Sequence, residues 1–486
     1  MDEPPPRRLM PCDTARMRLF QLASLSATIA LHSLTGGCIG ASQVAPALPA
    51  TPPPEPTQPD HPPEESLALM NADVFDQVWV IIRDTHPDPT INKGDWNDKR
   101  LQFRDRAIAA NSTDELRNVL RDMLDTLGES HFAIIPNSVS GSTEAHGGWS
   151  GITIHVMGGE AIVTRVAPKS PAAAAGVRTG WRALTAEGDS LDEIIKPFGT
   201  PRTALERLAR DRAIEAFMGG RPGMSPVYVF VDNDGREHTI TLILEDLPGE
   251  PVTFGNLPPF AAEIEHSWVS DETIRALGCD PSATGRVGYL RFSIWMTALS
   301  AAIDDALTTF RTADAIVIDL RGNPGGLGLM ATGVAGHFLA ETTSLGTMRG
   351  RDMKIDFRTN PRSVDRAGNV IGVFSGPLAL LIDGHSGSTS EIFAAGLLDL
   401  KRAQPFGQTS AGAALPATTH TLKNGDVLLH AIGDFKTPSG ILVEGVGVAQ
   451  QIGTPPTPSD YTSSPDSELR DALKWIAQQR LPATAP

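Results

Sequence analysis

A short turn of glycines and hydroxyl side chains, residues 384–390, contains the residues of this chain best suited to nucleophilic chemistry. The apolar run before it, residues 378–382, predicts a strand, and the apolar segment that starts at Ile392 predicts a helix. A serine at such a turn lies beside the free N–H groups of the helix N-terminus. Acyl transfer requires both features, an accessible hydroxyl and donors for the oxyanion. Taken alone, however, the turn is more typical of an ordinary helix N-cap.

The sequence of the turn changes this interpretation. Ser388-Thr389-Ser390-Glu391-Ile392-Phe393-Ala394, preceded by Gly387, resembles the nucleophile motif of the tail-specific, or C-terminal processing, serine protease family and of its tricorn-protease-like branch. Within that motif the nucleophile corresponds to Ser388. The resemblance implies a serine peptidase that acts on peptides or unfolded protein termini through an acyl-enzyme.

A second segment, Asp319-Leu320-Arg321-Gly322-Asn323-Pro324-Gly325-Gly326, resembles the glycine-containing turn of the same family. Glycine pairs after strands are common turns, so the motif is weak by itself. In the family, the matching glycines let the backbone approach the reacting carbonyl group. The resemblance therefore implies an oxyanion hole formed by Gly325 or Gly326 together with the N–H of Thr389.

A serine hydroxyl also needs a base, because it hardly ionises near neutral pH. The bacterial processing enzymes of the family use a lysine, and Ala413 occupies the position that resembles it. The tricorn-like branch uses a histidine instead, in a motif that Leu127-Gly128-Glu129-Ser130-His131 resembles. The resemblance implies Ser388 as nucleophile and His131 as general base and then general acid.

The same branch supports its histidine through a serine and a distant glutamate. Ser130 and Glu444, the latter in Glu444-Gly445-Val446-Gly447-Val448, resemble these two residues. The resemblance implies that Ser130 bridges His131 to Glu444, which stabilises the imidazolium. An imidazole base predicts loss of activity on the acid side, around the reference histidine pKa of about 6.5.

Two alternatives stay open at this point. His385 lies closer to Ser388 in sequence than His131 does and is a candidate for a supporting role near the nucleophile. The chain is also compatible with a non-catalytic relative of the same fold that binds peptides or apolar ligands. The missing lysine favours that relative only if His131 is not the base.

The spacing of apolar residues predicts a multidomain α+β protein. Residues 66–138 have helical spacing and predict an N-terminal helical bundle that carries His131. Residues 139–250 predict short strands and resemble a PDZ domain, which implies a groove for a peptide end near Ser150, Gly151 and Ile152.

The second half of the chain alternates strands and helices. Residues 251–460 predict an α/β catalytic core with helices packed on a mixed sheet, for which the resemblance implies a ClpP/crotonase-like fold. Residues 461–486 predict a C-terminal helix and tail.

The N-terminus has the features of an export signal. Basic residues, a short apolar stretch and small residues follow one another, so residues 1–38 predict a signal peptide. Thr35-Gly36-Gly37-Cys38 resembles a bacterial lipobox, which implies acylation of Cys38, with cleavage without lipidation as the alternative. Residues 39–65 are rich in Pro and Ala and predict a stiff linker. These features predict an exported protein of the periplasm or cell envelope.

The composition limits the partners. The 486 residues include 41 Lys and Arg against 57 Asp and Glu, and this acidic balance argues against nucleic acid. The three cysteines form no Cys/His cluster at zinc spacing, so the sequence predicts no metal and no cofactor. The predicted partners are a peptide or unfolded polypeptide substrate and a membrane contacted only through Cys38.

Overall fold

A computed structural model describes residues 64–93, 95–137, 147–253 and 260–480. The export signal predicted for residues 1–38, the lipidation site Cys38 and most of the predicted linker lie outside the described residues. Within the described ranges, no helix combines the length and apolar character needed to cross a bilayer. Helices and several separate sheets make up the described chain, which confirms the mixed, multidomain class.

The N-terminal region is helical, as the spacing of its apolar residues predicts. Its elements are α1 (Glu64–Thr85), a 3-10 turn (Pro89–Lys93), α2 (Asp95–Ile108) and α3 (Thr113–Asp125), followed by strand β1 (Ala133–Ile135). Ser112 caps α3, because its side chain accepts a hydrogen bond from the Glu115 N–H.

This helical region shares its apolar core with a later part of the chain. Ile134 packs in one cluster with Leu422, Leu428 and the buried faces of the helices. Arg117 of α3 donates two hydrogen bonds, of 2.9 and 2.7 Å, to the buried carboxylate of Asp426. The helices are therefore fixed to the part of the chain that follows the serine turn.

The next region is rich in strands. Its strands are β2 (Ile152–Met157), β3 (Glu160–Val166), β4 (Arg182–Ala186), β5 (Asp189–Ser190), β6 (Val227–Val231) and β7 (Glu237–Thr241). Its helices are α4 (Pro171–Ala174), α5 (Leu191–Ile195), with a 3-10 turn (Lys196–Phe198), and α6 (Ala204–Met218). The strands form an antiparallel sheet in the order β2-β3-β4-β6-β7, so β2 is an edge strand. Helix α6 lies along this edge.

The remaining chain alternates strands and helices. Its strands are β8 (Glu250–Val252), β9 (Phe260–Ala262), β10 (Ile264–Trp268), β11 (Val287–Phe292), β12 (Ala315–Asp319), β13 (Thr343–Arg349), β14 (Lys354–Thr359), β15 (Leu378–Ile382), β16 (Gln404–Gly407), β17 (Ala417–Thr421), β18 (Val427–Ala431) and β19 (Asp434–Lys436). Its helices are α7 (Asp271–Ala276), α8 (Pro281–Thr284), α9 (Thr297–Thr309), which runs into a 3-10 turn (Phe310–Thr312), α10 (Gly328–Ala335), α11 (Thr389–Asp399), α12 (Pro458–Ser463) and α13 (Ser467–Arg480).

The central sheet has the order β10-β11-β12-β15-β16. Strands β11, β12, β15 and β16 are parallel and β10 is antiparallel to β11, which confirms the predicted mixed sheet. A smaller sheet, β1-β18-β17, links the helical region to this part of the chain. Another, β14-β13-β19, packs beside α10 and α11.

The topology brings the two glycine-containing turns together. Strands β12 and β15 are parallel neighbours, with Ile318 opposite Leu380, and both are fully buried. Parallel neighbours end on the same side of a sheet, where ligands of such sheets bind. The loop with Gly325 and Gly326 follows β12, and the turn with Ser388 follows β15. The sheet order therefore juxtaposes residues that are far apart in sequence.

Candidate active site

Ser388 lies between β15 and α11, with backbone angles φ 50° and ψ −115°. This conformation is sparsely populated for residues other than glycine and costs about 1–3 kcal/mol. Neighbouring loops hold it in place. The Ser388 N–H donates to the Ala413 carbonyl at 2.9 Å, and the Gly387 N–H donates to the Asn323 carbonyl at 3.0 Å. The turn is therefore fixed on both sides.

Gly325 approaches Ser388 more closely than a residue with a side chain could. Its φ is 111°, and a Cβ atom built on it would lie 2.5 Å from Ser388 Cβ and 3.0 Å from the Thr389 nitrogen. Both the positive φ and this contact require glycine. The Gly325 N–H donates to Asn323 Oδ1 at 3.0 Å, so it already has an acceptor.

The N–H groups of Gly326 and Thr389 are the remaining donors beside the serine. The Trp295 N–H donates to the Gly325 carbonyl and the Leu327 N–H donates to the Trp295 carbonyl, so the Gly326 N–H points away from Trp295. Thr389 begins α11, and the first N–H groups of a helix have no intrahelical acceptor. Among the described residues neither N–H has a hydrogen-bond acceptor. The Thr389 hydroxyl donates to the Gly326 carbonyl at 2.7 Å and thereby ties the two residues together.

Ser130, His131 and Glu444 meet although they are distant in sequence. Ser130 Oγ donates to Glu444 Oε2 at 2.9 Å and lies 2.5 Å from His131 Nδ1. Because the Ser130 proton goes to the carboxylate, the Ser130 oxygen accepts the hydrogen of His131 Nδ1. The imidazole therefore presents an unprotonated Nε2. This Nε2 is buried and has no hydrogen-bond partner among the described residues.

Two consecutive residues, Ala413 and Ala414, connect the relay of His131, Ser130 and Glu444 to the turn that carries Ser388. The Ala414 N–H donates to Glu444 Oε2 at 2.8 Å, and the Ala413 carbonyl accepts the Ser388 N–H. The Ser130 N–H adds a further hydrogen bond to Glu444, of 2.8 Å to Oε1. One short segment thus positions both the candidate nucleophile and the carboxylate that supports the histidine.

Burial governs the proton affinity of the relay. It lowers the pKa of His131 to about 3, and the positive charge of Arg212 contributes in the same direction. Burial also raises the pKa of Glu444, although the N–H groups of Ser130 and Ala414 oppose that shift. The neutral imidazole is therefore stable well into the acidic range, and the expected histidine pKa of about 6.5 is wrong for His131.

Comparison with known proteins shows which proteins this chain is similar to. The sequence profile of peptidase family S41 matches residues 286–454, and that of the tricorn protease C1 domain matches residues 71–125. The chain is a serine peptidase whose residues 286–454 are similar to family S41. The two matches fall on the central sheet with its serine turn and on the N-terminal helices, and they confirm the tail-specific, tricorn-like resemblance.

Relatives of this serine peptidase include processing enzymes. It is 24% identical over 388 residues to the carboxyl-terminal-processing peptidase 3, chloroplastic, of Arabidopsis thaliana. That alignment covers 77% of this chain and 67% of the relative. It is 32% identical over 201 residues to the carboxy-terminal-processing protease of Bartonella bacilliformis. That alignment covers 39% of this chain and 45% of the relative.

Solved structures share its fold. The photosystem II D1 C-terminal processing protease superposes with a TM-score of 0.54 at 18% identity, over 84% of this chain and 97% of the other. Mature CPAF superposes with a TM-score of 0.56 at 14% identity, over 86% of this chain and 99% of CPAF. The arrangement of helices and sheets described above is thus shared with both solved structures.

Glu391 is a part of the site whose role the sequence analysis missed. Its Oε1 accepts hydrogen bonds from the Ser410 hydroxyl at 2.5 Å and the Gly412 N–H at 2.7 Å. Its Oε2 accepts from the Ser388 N–H at 3.1 Å and the Ala413 N–H at 2.9 Å. Burial raises the pKa of Glu391 to about 7 against these donors. The signal was its position three residues after Ser388, where a glutamate can bond back to a helix cap.

The candidate peptide-binding residues Ser150, Gly151 and Ile152 lie at the start of β2. The Ile152 N–H donates to Ser150 Oγ at 3.2 Å, and the Gly151 carbonyl accepts the Ala167 N–H at 2.7 Å. Within the described chain, no hydrogen bond or ion pair joins these three residues to the relay or to Ser388. They form a separate feature of the peptidase.

Further along β2, helix α6 occupies the edge of the strand. Asp211 Oδ1 accepts the Val156 N–H at 3.3 Å, and Arg210 donates to the Val156 carbonyl at 2.7 Å. A peptide that added to this edge as a further strand would have to displace both side chains at Val156.

His385 does not join the relay. Its Nδ1 lies 3.7 Å from Glu215 Oε1, and its ring centroid lies 4.6 Å from that of His155 on β2. The side chain therefore faces the β-rich region of the peptidase.

Proposed function

We propose that this serine peptidase cleaves peptide bonds through an acyl-enzyme on Ser388, with His131 as general base and then general acid. The supporting observation is the relay from His131 through Ser130 to Glu444, which leaves His131 Nε2 unprotonated, buried and without a partner among the described residues. A serine nucleophile needs such an acceptor for its proton.

The reaction consists of two acyl transfers. His131 Nε2 takes the hydroxyl proton as Ser388 Oγ attacks the carbonyl carbon, and the oxyanion accepts hydrogen bonds from Gly326 and Thr389. The protonated Nε2 then gives its proton to the leaving amine. Water, deprotonated by the same nitrogen, hydrolyses the ester and regenerates the serine. Ser130 and Glu444 offset the cost of forming an imidazolium in a buried site.

The oxyanion role falls to Gly326 rather than Gly325 in this proposal. The Gly325 N–H already donates to Asn323 Oδ1, whereas the Gly326 N–H has no acceptor among the described residues. Gly325 contributes by lacking a side chain, because a Cβ atom there would overlap Ser388.

The substrates we propose are peptides or unfolded protein termini. The names of the relatives, which are C-terminal processing enzymes, support this class. We assign residues 139–250 to a PDZ-like recognition domain, residues 66–138 to the helical region that carries the base, residues 251–460 to a ClpP/crotonase-like core and residues 461–486 to a C-terminal helix and tail. The edge position of β2 supports the first assignment. Export to the cell envelope and a lipid anchor at Cys38 rest on the N-terminal sequence alone.

A fluorophosphonate probe tests the nucleophile. We expect stoichiometric labelling of the full chain, loss of the label in Ser388→Ala and full labelling of Ser300→Ala, whose serine is exposed on α9. Labelling that persists in Ser388→Ala would place the nucleophile elsewhere. Folded protein that takes no label would favour the non-catalytic peptide- or apolar-ligand-binding relative.

A further inference from the structure

A second cluster of chemistry-bearing side chains lies on the other side of the serine turn. His155 of β2, Asp211 of α6 and His385 of the turn each offer one potential ligand atom, and these atoms all lie within 4.8 Å of one another. The three residues are 1%, 4% and 7% exposed. The relay of His131 uses none of them.

The outer hydrogen bonds of His155 define which nitrogen faces the cluster. Thr164 Oγ1 donates to the Thr153 carbonyl at 3.4 Å and lies 2.9 Å from His155 Nδ1. The threonine oxygen therefore accepts the hydrogen of Nδ1, and the lone pair of Nε2 points into the cluster. His155 Nε2 is buried and lacks a hydrogen-bond partner among the described residues.

His385 repeats this arrangement. Its Nδ1 faces the carboxylate of Glu215 at 3.7 Å, and its Nε2 is likewise buried with no hydrogen-bond partner in the described part of the chain. Two imidazole nitrogens left unsatisfied in one buried place are costly unless a further group binds them.

Carboxylates near both imidazoles favour a cation there, while the positive charges of Arg210, paired with Asp211, and Arg212 oppose one. Besides Asp211, the carboxylate of Asp383 lies 3.9 Å from His155 Nε2, and Glu215 borders the other imidazole. Arg210 donates to Oδ1 of Asp211 and leaves Oδ2 on the side of Gly384, the residue that also borders His155 Nε2.

We infer that His155, Asp211 and His385 bind one Zn²⁺ ion. Two imidazoles and a carboxylate form a donor set that suits zinc, with water or Asp383 in a fourth position. Tetrahedral zinc places its ligand atoms roughly 3.4 Å apart, so the three side chains have to close by about an ångström or less each. The ion would join β2 and α6 to the turn that leads into Ser388. It would be structural, since the serine reaction requires no metal.

The three ligands come from segments that are far apart in the chain, which is why no zinc spacing is visible in the sequence and no metal is predicted from it.

The zinc inference does not depend on catalysis, because zinc binding can be measured in the Ser388→Ala variant, which lacks the proposed nucleophile. A failure of the zinc site and a failure of the proposed mechanism are therefore distinguishable.

The test is a zinc titration of the untagged full chain after chelator treatment, in competition with a chromogenic chelator. We expect one Zn²⁺ per chain, and Co²⁺ in its place should give the visible absorption of a tetrahedral site. His155→Gln and Asp211→Asn should each weaken binding by at least about tenfold. His420→Gln, which removes an exposed histidine, should bind as the wild type does.

Thermal unfolding provides a second readout. Zn²⁺ should raise the Tm of the wild type and of His420→Gln and leave that of His155→Gln unchanged, because a ligand that binds only the folded chain stabilises it. The inference is overturned if the wild type binds no stoichiometric zinc, or if His155→Gln and Asp211→Asn bind it equally well. The wild-type titration decides the question by itself should the variants fail to fold.

Discussion

The hydroxyl of Ser130 determines which nitrogen of His131 carries the proton. It donates a hydrogen bond to Glu444 and accepts one from Nδ1, so Nε2, the proposed base, stays unprotonated. We expect Ser130→Ala to lower kcat by about 10²- to 10⁴-fold with little change in KM, because the imidazole loses its orientation and its link to the carboxylate. Steady-state kinetics on a peptide substrate measure both constants.

Two variants control this prediction. Ser130→Thr retains a hydroxyl and should keep most of the activity, whereas Ser300→Ala should behave as the wild type. An unchanged kcat in Ser130→Ala would show that the serine has no part in the relay.

Arg212 contributes to the low pKa of His131 through its positive charge, after burial. Burial and this charge both disfavour the imidazolium, so protonation of His131 should reduce kcat/KM only well below pH 6.5, toward the value of about 3. Replacing the guanidinium in Arg212→Gln should raise that pKa and move the acid limb to higher pH. A pH profile of kcat/KM detects the shift.

The matched control is Arg178→Gln, an exposed arginine that does not affect His131. Its profile should coincide with that of the wild type. The prediction is contradicted if kcat/KM of the wild type falls near pH 6.5 and Arg212→Gln does not shift that pH. The group that titrates would then not be a buried imidazole.

Local motifs indicated the candidate catalytic residues, but their environment could not be read from the sequence. Ser388, His131 and Glu444 each lie in a short segment that resembles a family motif, so they can be found one segment at a time. The pKa of His131 depends on neighbours that pack around it from other parts of the chain, and the reference value was therefore misleading. For the same reason the role of Glu391 was missed, since its donors lie in the loop at 410–413.

At the scale of elements, Glu391 of α11 accepts four hydrogen bonds, three from the loop at 410–413 and one from the Ser388 N–H at the start of its own helix. Glu391→Gln places an amide NH₂ where the carboxylate accepts, so at least one donor loses its partner. We expect the free energy of unfolding to fall by about 1–3 kcal/mol and labelling of Ser388 by a fluorophosphonate to slow. Urea unfolding and labelling kinetics above pH 7, where the carboxyl is ionised, measure these effects.

Glu272→Gln, on the exposed face of α7, serves as the control and should change neither quantity. If Glu391→Gln is as stable and as reactive as the wild type, the carboxylate does not hold the turn.

The elements themselves were largely predictable where their pattern is local. Strands β11, β12 and β15 coincide with apolar runs, and α9 follows its helical spacing. Pairings between distant segments were not predictable. Nothing in the three residues of β1 indicates that they pair with β18, and nothing in β2 indicates that α6 occupies its edge at Val156.

At the scale of the whole molecule, the active site depends on the attachment of the helical region to the core. The relay histidine lies between α3 and β1, and β1 pairs with β18 in register from Ala133 with Leu429 to Ile135 with Val427. The ion pair of Arg117 with Asp426 secures α3 to the same hairpin. Docking of the helices thus brings Ser130 and His131 to Glu444, so the proposed mechanism predicts that catalysis depends on global stability.

Acidification should weaken that global stability, because several buried histidines resist protonation in the folded state. Burial lowers the pKa of His131 to about 3 and those of His337 and His430 to about 4. The unfolded chain, with a histidine pKa of about 6.5, binds more protons, so stability falls as pH decreases below that value. Each such histidine costs about 2 kcal/mol at pH 5, and Glu391, whose pKa is raised, opposes part of the loss.

His430 isolates one of these contributions, because it lies on β18 outside the serine relay. Urea unfolding at pH 7 and pH 5 should show a drop in the free energy of unfolding that is about 2 kcal/mol smaller in His430→Gln than in the wild type. His266→Gln, which removes an exposed histidine of β10, should show the full wild-type drop. Equal drops in all three proteins would mean that His430 titrates in the folded chain as it does in the unfolded one, and that its burial does not contribute to the acid sensitivity of the fold.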